Sequence, residues 1–423
     1  MITILEALDK ILNSFESSEY TETIPLKKAY NRILRRDVIS KIDVPPFDNS
    51  AMDGYALNIE DLANTQIIPL FQEIFAGEST DNSIPPGKCA RIMTGAMIPP
   101  GVNLVIPKEK TTVIEEGDTK EQSRIKFNVE VSKVKKFQHI REKGKDIARD
   151  TVVLKAGTRL EAQHLSLLAS CGICDVVVSK KPTVALLSTG DELVSPPTPL
   201  KPGQIYNSNF FFLRAYLEKL GAAVSEHHTL KDDLDSTTEF FKSLNEQIII
   251  TCGGVSVGDR DFVKEAFEAA GAKRIFWRVG IKPGKPLYYA RRGEQLIFGI
   301  PGNPVSTVVS TEIFVRPALC KLLGMNEFLR PIFNFSCTNK LGNQTVRPHV
   351  VRAMLVPIPG ESKPLQVQLY TNQNSNILSS VKDADVFLFV PPETGNISRG
   401  NSFQGIILNQ REALKSWKNV LEL

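Results

Sequence analysis

Three apolar runs, Thr183 to Leu187, Gln247 to Thr251 and Leu296 to Ile300, each run directly into a loop rich in glycine and polar side chains. Amphipathic helical stretches separate them. Asn209 to Leu220 is closed by Gly221 and Asp261 to Ala270 by Gly271, where a left-handed cap costs glycine nothing. Asn303 and Pro304 open another helix, with Asn as N-cap and Pro at the first helical position. This alternation between 182 and 324 predicts a parallel sheet with helices on both faces, a three-layer α/β domain.

In open α/β sheets, ligands sit outside the carboxyl ends of the strands. The residues there are Ser188, Thr189, Gly190, Asp191 and Glu192 after the first run. Cys252 to Asp259 follow the second, with Gly253, Gly254, Ser256 and Gly258 among them. Pro301 to Ser306, including Pro304, follow the third. Glycines let backbone N–H groups approach an anion, and a helix start adds its positive end. Glu192 and Asp259 would repel that anion unless a cation stands between, and Mg2+ is the usual choice. Tight turns alone would account for any one loop. Three at one sheet edge point to a phosphorylated small molecule and a divalent metal. Lys282-Pro283-Gly284-Lys285-Pro286 reads as a stiff cationic clamp for a polyanion, with surface lysines as the plainer alternative.

The flanking sections differ in texture. Thr3 and Glu6 fit a capping box, and Ile4, Leu5, Leu8, Ile11, Leu12 and Phe15 fall at helical spacing, so the chain starts with an amphipathic helix. A strand-like Thr23 to Leu26 and a second helical piece around Ala29 to Leu34 follow. Residues 46–139 are broken by Gly and Pro into short strands, a β-rich module. Its dense polar stretch, Val44 to Ala56, holds Asp48, Asn49, Ser50 and Asp53, and Arg91 to Ala96 lies in the same module. Such packing of polar groups suits a ligand or partner, although an Asx-turn also explains Asp48-Asn49-Ser50. Residues 325–423 read as a small all-β module, with strands at Val350 to Val356, Leu365 to Leu369 and Val386 to Val390 and turns at Gly395, Gly400 and Gly405.

Composition narrows the function. The 423 residues suggest two to four domains, and 51 Lys+Arg against 47 Asp+Glu give a net charge of +4, too small to argue for nucleic acid or a membrane surface. The basic run Lys133 to Lys145 is interrupted by Glu142 and lacks aromatic interleaving, so it reads as solvated surface. No apolar run approaches the ~18 residues of a membrane span, and the N-terminus does not read as a signal peptide. Cys171 and Cys174 form a C-x-x-C without a second pair to complete a zinc site, so the six cysteines are expected to be buried free thiols in a reducing cytoplasm.

Six stretches together carry a resemblance: Pro45 to Ala56 (PPFDNSAMDGYA), Arg91 to Ala96 (RIMTGA), Ser188 to Leu193 (STGDEL), Gly253 to Asp259 (GGVSVGD), Lys282 to Pro286 (KPGKP) and Pro301 to Ser306 (PGNPVS). In this order and spacing, over essentially the whole chain, the sequence resembles the molybdopterin molybdenumtransferases, the bacterial MoeA proteins and the C-terminal part of gephyrin. The resemblance implies an α/β, multidomain elongated chain. Its expected parts are a helical/linker domain (1–45 plus 140–178), a β-rich insertion module (46–139), a central three-layer α/β molybdopterin-binding domain (179–325) and a small C-terminal β-barrel (326–423).

The resemblance also implies insertion of molybdate into adenylylated molybdopterin, with release of AMP and dependence on Mg2+. It puts pterin and nucleotide against Ser188, Gly190, Asp191, Glu192, Gly253, Gly254, Ser256, Gly258, Pro301, Pro304 and Ser306. It puts oxyanion charge on Lys282 and Lys285, and metal or hydrolysis roles on Asp53, Asp146, Glu192, Asp232 and Asp259, with Thr94 close by. Glu192 and Asp259 are the expected Mg2+ ligands. Asp232 and Asp233 are adjacent, and either matches the family's position. Lys145 stands before Asp146 where the family usually has an acid. The family is an elongated cytoplasmic homodimer whose cleft takes the α/β domain from one subunit and the β-rich module from the other, and the molybdopterin adenylyltransferase is an expected partner. An adenylyltransferase, a scaffold and a sensor of pterin or molybdate are the competing readings; the chain is longer than the first and lacks the long linker of the second.

Overall fold

A computed structural model describes residues 1–79, 82–115, 123–190, 192–230, 234–255, 262–343, 345–356 and 365–408. At the centre is a six-stranded sheet of β1 (Thr183–Thr189), β2 (Ala223–Leu230), β3 (Ile248–Cys252), β4 (Lys273–Trp277), β5 (Tyr288–Arg292) and β6 (Gln295–Ile300). Their order is β2-β1-β3-β6-β5-β4. The first four are parallel, with Val184 opposite Ile248 and Ile250 opposite Phe298. β5 and β4 are antiparallel to their neighbours, so the sheet is mixed rather than wholly parallel. β4 opens on Lys-Arg and β5 closes on Arg-Arg, so neither makes the continuous apolar run of a doubly covered strand.

Alternation along the strands sends residues to two cores. Val184, Leu186, Ile248, Ile250 and Phe298 pack with Leu213 and Leu217 of helix Ser208–Leu220 and Val309 of helix Pro304–Ser310. Ala185, Leu187, Ile249 and Ile297 pack on the other face against Phe241 of helix Leu234–Ser243 and Phe267 of helix Val263–Ala269, whose rings stack at 3.9 Å. The helix begun at Pro304 passes through a π-helical turn, Thr311–Val315, into Arg316–Leu322. The buried carboxylate of Glu312 in that turn is bound by the Tyr216 hydroxyl and Arg330, with Arg316 at 3.6 Å.

The N-terminal helix is Ile4–Leu12. Its capping box is made: Thr3 N–H donates to Glu6 Oε2 at 2.7 Å and Glu6 N–H to Thr3 Oγ1 at 3.2 Å. Ala7, Ile11 and Phe15 enter the first of the two central cores, and Ile2 bridges to Val279. Strand Thr21–Pro25 pairs antiparallel with Asp175–Ser179 beside helix Ala162–Ser170. The helical piece expected at Ala29 to Leu34 is absent; only a 3-10 turn, Leu26–Lys28, forms. Asn31 takes a left-handed φ of 62°, which ends any helix. Asn31 and Leu34 N–H donate instead to Leu160 and Thr158 carbonyls at 2.7 and 2.9 Å.

The β-rich module is a six-stranded sheet that joins Leu104–Pro107, Gly54–Leu57, Cys89–Ile92, Ile67–Ile74, Arg124–Phe127 and Thr111–Glu115 in that order. The C-terminal part is a closed barrel of Ile332–Cys337, Leu365–Leu369, His349–Val356, Val386–Val390 and Ser402–Ile407. Gly405 lies inside the last strand rather than in a turn; a Cβ there would stand 2.6 Å from the Phe387 carbonyl oxygen, so close strand packing requires glycine.

All six cysteines are free, but Cys174 is exposed, contrary to the expectation for the set. The Cys171–Cys174 turn leads from a helix into a strand and leaves only its second thiol at the surface. Burial pushes Cys252 and Cys337 up to about 11 and Cys89 to about 12. The thiolate is the nucleophile, so an alkylating reagent on the folded protein is expected to modify Cys174 alone. Modification of a second thiol before unfolding, read by intact mass, would contradict this.

Candidate functional site

The three loops after β1, β3 and β6 surround a cleft of about 890 Å3. Thr189, Gly190 and Glu192 come from the first, Cys252, Gly253, Gly254 and Val255 from the second, and Pro301, Gly302, Asn303 and Pro304 from the third. Gly253 and Gly254 have φ of 96° and 66°. A Cβ on Gly253 would reach Thr189 Oγ1 at 2.9 Å, and one on Gly254 would overlap the Val263 side chain. Both residues are therefore required by conformation and by space.

Residues that sequence reasoning passed over hold these loops. Asn207 is the N-cap of helix Ser208–Leu220; its Nδ2 donates to Ser188 Oγ at 2.7 Å, and its Oδ1 accepts from Phe210 N–H. Ser188 is thus buried behind the cleft wall. Asn209 Nδ2 donates to the Gly302 carbonyl at 2.6 Å, and Thr307 Oγ1 donates to the Pro301 carbonyl at 2.8 Å. Tyr206, exposed, forms part of the rim, and Asn376 arrives from the barrel domain. The Ser375 carbonyl accepts from Val305 N–H at 3.0 Å, which ties that loop to the start of the helix. The amide-rich run Asn372 to Asn376 was the available signal for this contact.

Other expected residues lie off the cleft. Ser306 is buried in the first helical turn. Pro286 lines the cleft, whereas Lys282 and Lys285 are not in its wall. The Lys282 main chain pairs with the barrel: its N–H donates to Pro348 and its carbonyl accepts from Val350 at 2.9 and 2.8 Å. Asp53 Oδ1 accepts from Thr94 N–H at 2.8 Å and Thr94 Oγ1 at 2.7 Å. Those two bonds, the backbone one first, hold the Asp53 carboxyl below the usual range. Asp48 is a structural acceptor for Lys143 N–H at 2.7 Å. Asp146 lines a separate cleft of about 500 Å3 with Pro45, Ile140, Arg141, Glu142 and Lys145. Asp191, Asp232, Asp233, Ser256, Gly258 and Asp259 lie outside the described residues.

Among the described residues no group of three or more His, Cys, Asp or Glu could hold a metal ion. The described cleft wall offers the Glu192 carboxylate with amide and hydroxyl oxygens. Such a hard, oxygen-only set fits Mg2+ shared with ligand phosphates rather than an all-protein cage. Among the described residues no helix is long and apolar enough to cross a membrane.

A strand-end cleft of this kind, set in a chain with a β-rich module and a terminal barrel, defines a multidomain α/β protein with a small-molecule site at the carboxyl edge of its central sheet. Three family models match in succession: "MoeA N-terminal region (domain I and II)" over residues 2–172, "Probable molybdopterin binding domain" over 185–321 and "MoeA C-terminal region (domain IV)" over 336–408. The chain is 36% identical over 405 residues to the molybdopterin molybdenumtransferase of Haemophilus influenzae, covering 95% of this chain and 97% of that one. It is 34% identical to molybdopterin molybdenumtransferase 2 of Mycobacterium tuberculosis, covering 90% and 94%. A solved molybdopterin biosynthesis MoeA protein from Pyrococcus horikoshii OT3 superposes with a TM-score of 0.78 at 26% identity, over 96% of this chain and 100% of that one. The chain belongs to the molybdopterin molybdenumtransferase family, whose MoeA domains serve molybdenum cofactor biosynthesis.

Proposed function

We propose that this protein inserts molybdate into adenylylated molybdopterin and releases AMP, working as a homodimer with Mg2+ in the cytoplasm. The observation that carries the reading is the convergence of the three strand-end loops on one cleft, in a chain that matches named molybdopterin molybdenumtransferases almost end to end. The Gly253–Gly254 turn lets the Gly254 main-chain N–H approach the pyrophosphate, the Gly253 N–H being taken by the Ile300 carbonyl at 3.0 Å. Asn207, Asn209 and Thr307 hold the loops in place. Glu192, with Asp259, would hold Mg2+, which when bound screens the repulsion between molybdate and pyrophosphate. Lys282 and Lys285 supply positive charge for the oxyanion. The protonated Cys252 thiol does not compete with the substrate's sulfurs for molybdenum. Free thiols suit a reducing compartment.

Asp53, Thr94 and Asp146 stand outside the cleft of their own subunit, which supports a site completed across a dimer. The adenylylated substrate is handed over by the molybdopterin adenylyltransferase. The test is an assay of adenylylated molybdopterin with molybdate, repeated with tungstate. AMP release supports the reading. Formation of the adenylate from ATP would replace it with an adenylyltransferase, and binding without turnover with a sensor or scaffold.

A further inference from the structure

The sheet edge that ends in β4 contributes to the cleft from a distance. Trp277, the last residue of β4, donates its indole Nε1–H to the Val255 carbonyl at 3.0 Å. Val255 follows Gly253 and Gly254 directly, lines the cleft and is 1% exposed. Lys264 Nζ and the Arg278 guanidinium each stand 4.0 Å from the indole ring centroid. Arg278 is held in a left-handed conformation, φ 74°, an uncommon state for a side chain of this size. Its N–H donates to the Leu287 carbonyl at 2.9 Å. Lys264 belongs to helix Val263–Ala269, whose first residue packs against Gly254. The indole therefore joins three elements around one turn: β4, that helix and the loop after β3.

We infer that Trp277 is a positioning residue for this reaction: the Gly253 N–H is held by the Ile300 carbonyl at 3.0 Å, and the indole N–H fixes the rest of the turn so that the N–H groups of Gly254 and Val255 face the phosphate of the adenylylated substrate. Glycines at φ above zero are free to take other conformations, so the turn needs an external anchor. The only hydrogen-bond donor of indole is Nε1–H, and here it is aimed at the carbonyl that closes the turn. The inference rests on the function proposed above.

The test compares Trp277→Phe with the parent protein. Phenylalanine keeps an aromatic ring beside the two cations and removes the donor. The readouts are hydrogen exchange at amides 253–255, AMP affinity in the presence of Mg2+, and kcat and KM for AMP release. Faster exchange at those amides, AMP affinity lower by roughly five-fold, as for a lost hydrogen bond, and a cooperative melt at a modestly lower temperature, since the buried Val255 carbonyl loses its donor, are expected. Trp277→His, which can present an N–H, is expected to recover part of the affinity. Unchanged exchange or unchanged AMP affinity in Trp277→Phe would overturn the inference. A parent protein that binds no AMP would overturn the reading of the cleft and this inference together, and that failure is distinguishable because it occurs before any substitution is made.

Discussion

Glu192→Gln is expected to lower the rate of AMP release by about 100-fold or more, the scale of losing one preorganised charge contact in a site, while the protein melts as before. The side chain is exposed at the cleft wall, and its fold role belongs to the main chain, whose carbonyl accepts from Ile205 N–H at 2.8 Å. Glutamine keeps the shape and removes the charge, so a hard cation loses its described carboxylate. Asp53→Asn is expected to give a loss of similar size for a different reason. It weakens the acceptor for both Thr94 donors in a module that lies off the cleft of its own subunit. If the site is shared across a dimer, mixing the two inactive variants restores one intact site in each mixed dimer. Roughly a quarter of the parent activity should then return for an equal mixture with random exchange. Turnover of Glu192→Gln at the parent rate would remove Glu192 from the site, and absence of any recovery on mixing would argue against the shared cleft.

The second large effect falls on Gly254. Gly254→Ala adds a Cβ at φ 66° that overlaps Val263 and comes 3.0 Å from Thr189 Oγ1. The conformation is strained for alanine, and Val263 is a core residue of helix Val263–Ala269 that cannot swing away. A stability loss of about 2 kcal/mol and an AMP affinity at least about ten-fold weaker are expected. Gly271→Ala is the matched control. Its φ is 92°, but no atom lies within 4 Å of the added Cβ. It should lose stability by about 1 kcal/mol through strain alone and bind AMP as the parent does. Thermal melts and AMP titrations on both variants separate site geometry from backbone strain. Equal affinities in the two would mean that the Gly254 turn does not contact the nucleotide.

Much of the central domain was legible because strands buried on both faces carry apolar runs, as β1 does over Val184 to Leu187, β3 over Ile248 to Ile250 and β6 over Leu296 to Phe298. The antiparallel pair β4 and β5 was hidden by its terminal arginines and lysine, which sit where the strands leave the core. In the barrel, Ile332–Cys337 and Ser402–Ile407 were missed because their polar residues alternate at the surface and a glycine stands mid-strand. The glycine loops of the cleft could be read from position alone, since they follow each strand. Asn209, Thr307 and Trp277 could not. Asn209 and Trp277 act on main-chain carbonyls 93 and 22 residues away, Gly302 and Val255, and Thr307 reaches back six residues to Pro301. No local pattern marks such a contact.

The docking of the first fifteen residues bears on how the protein folds. Ser14 Oγ meets the Tyr289 hydroxyl at 2.6 Å across a separation of 275 residues. Phe15 and Ile11 share a core with residues as late as Ile406. This helix is synthesised well before the elements it packs on most, the π-helical turn Thr311–Val315 and the helix Arg316–Leu322. Contacts of such range raise contact order and slow folding, and they leave an apolar face uncovered during synthesis. Its capping box, made entirely from Thr3 and Glu6, is local. It lets the helix form early and wait for the elements that will cover it.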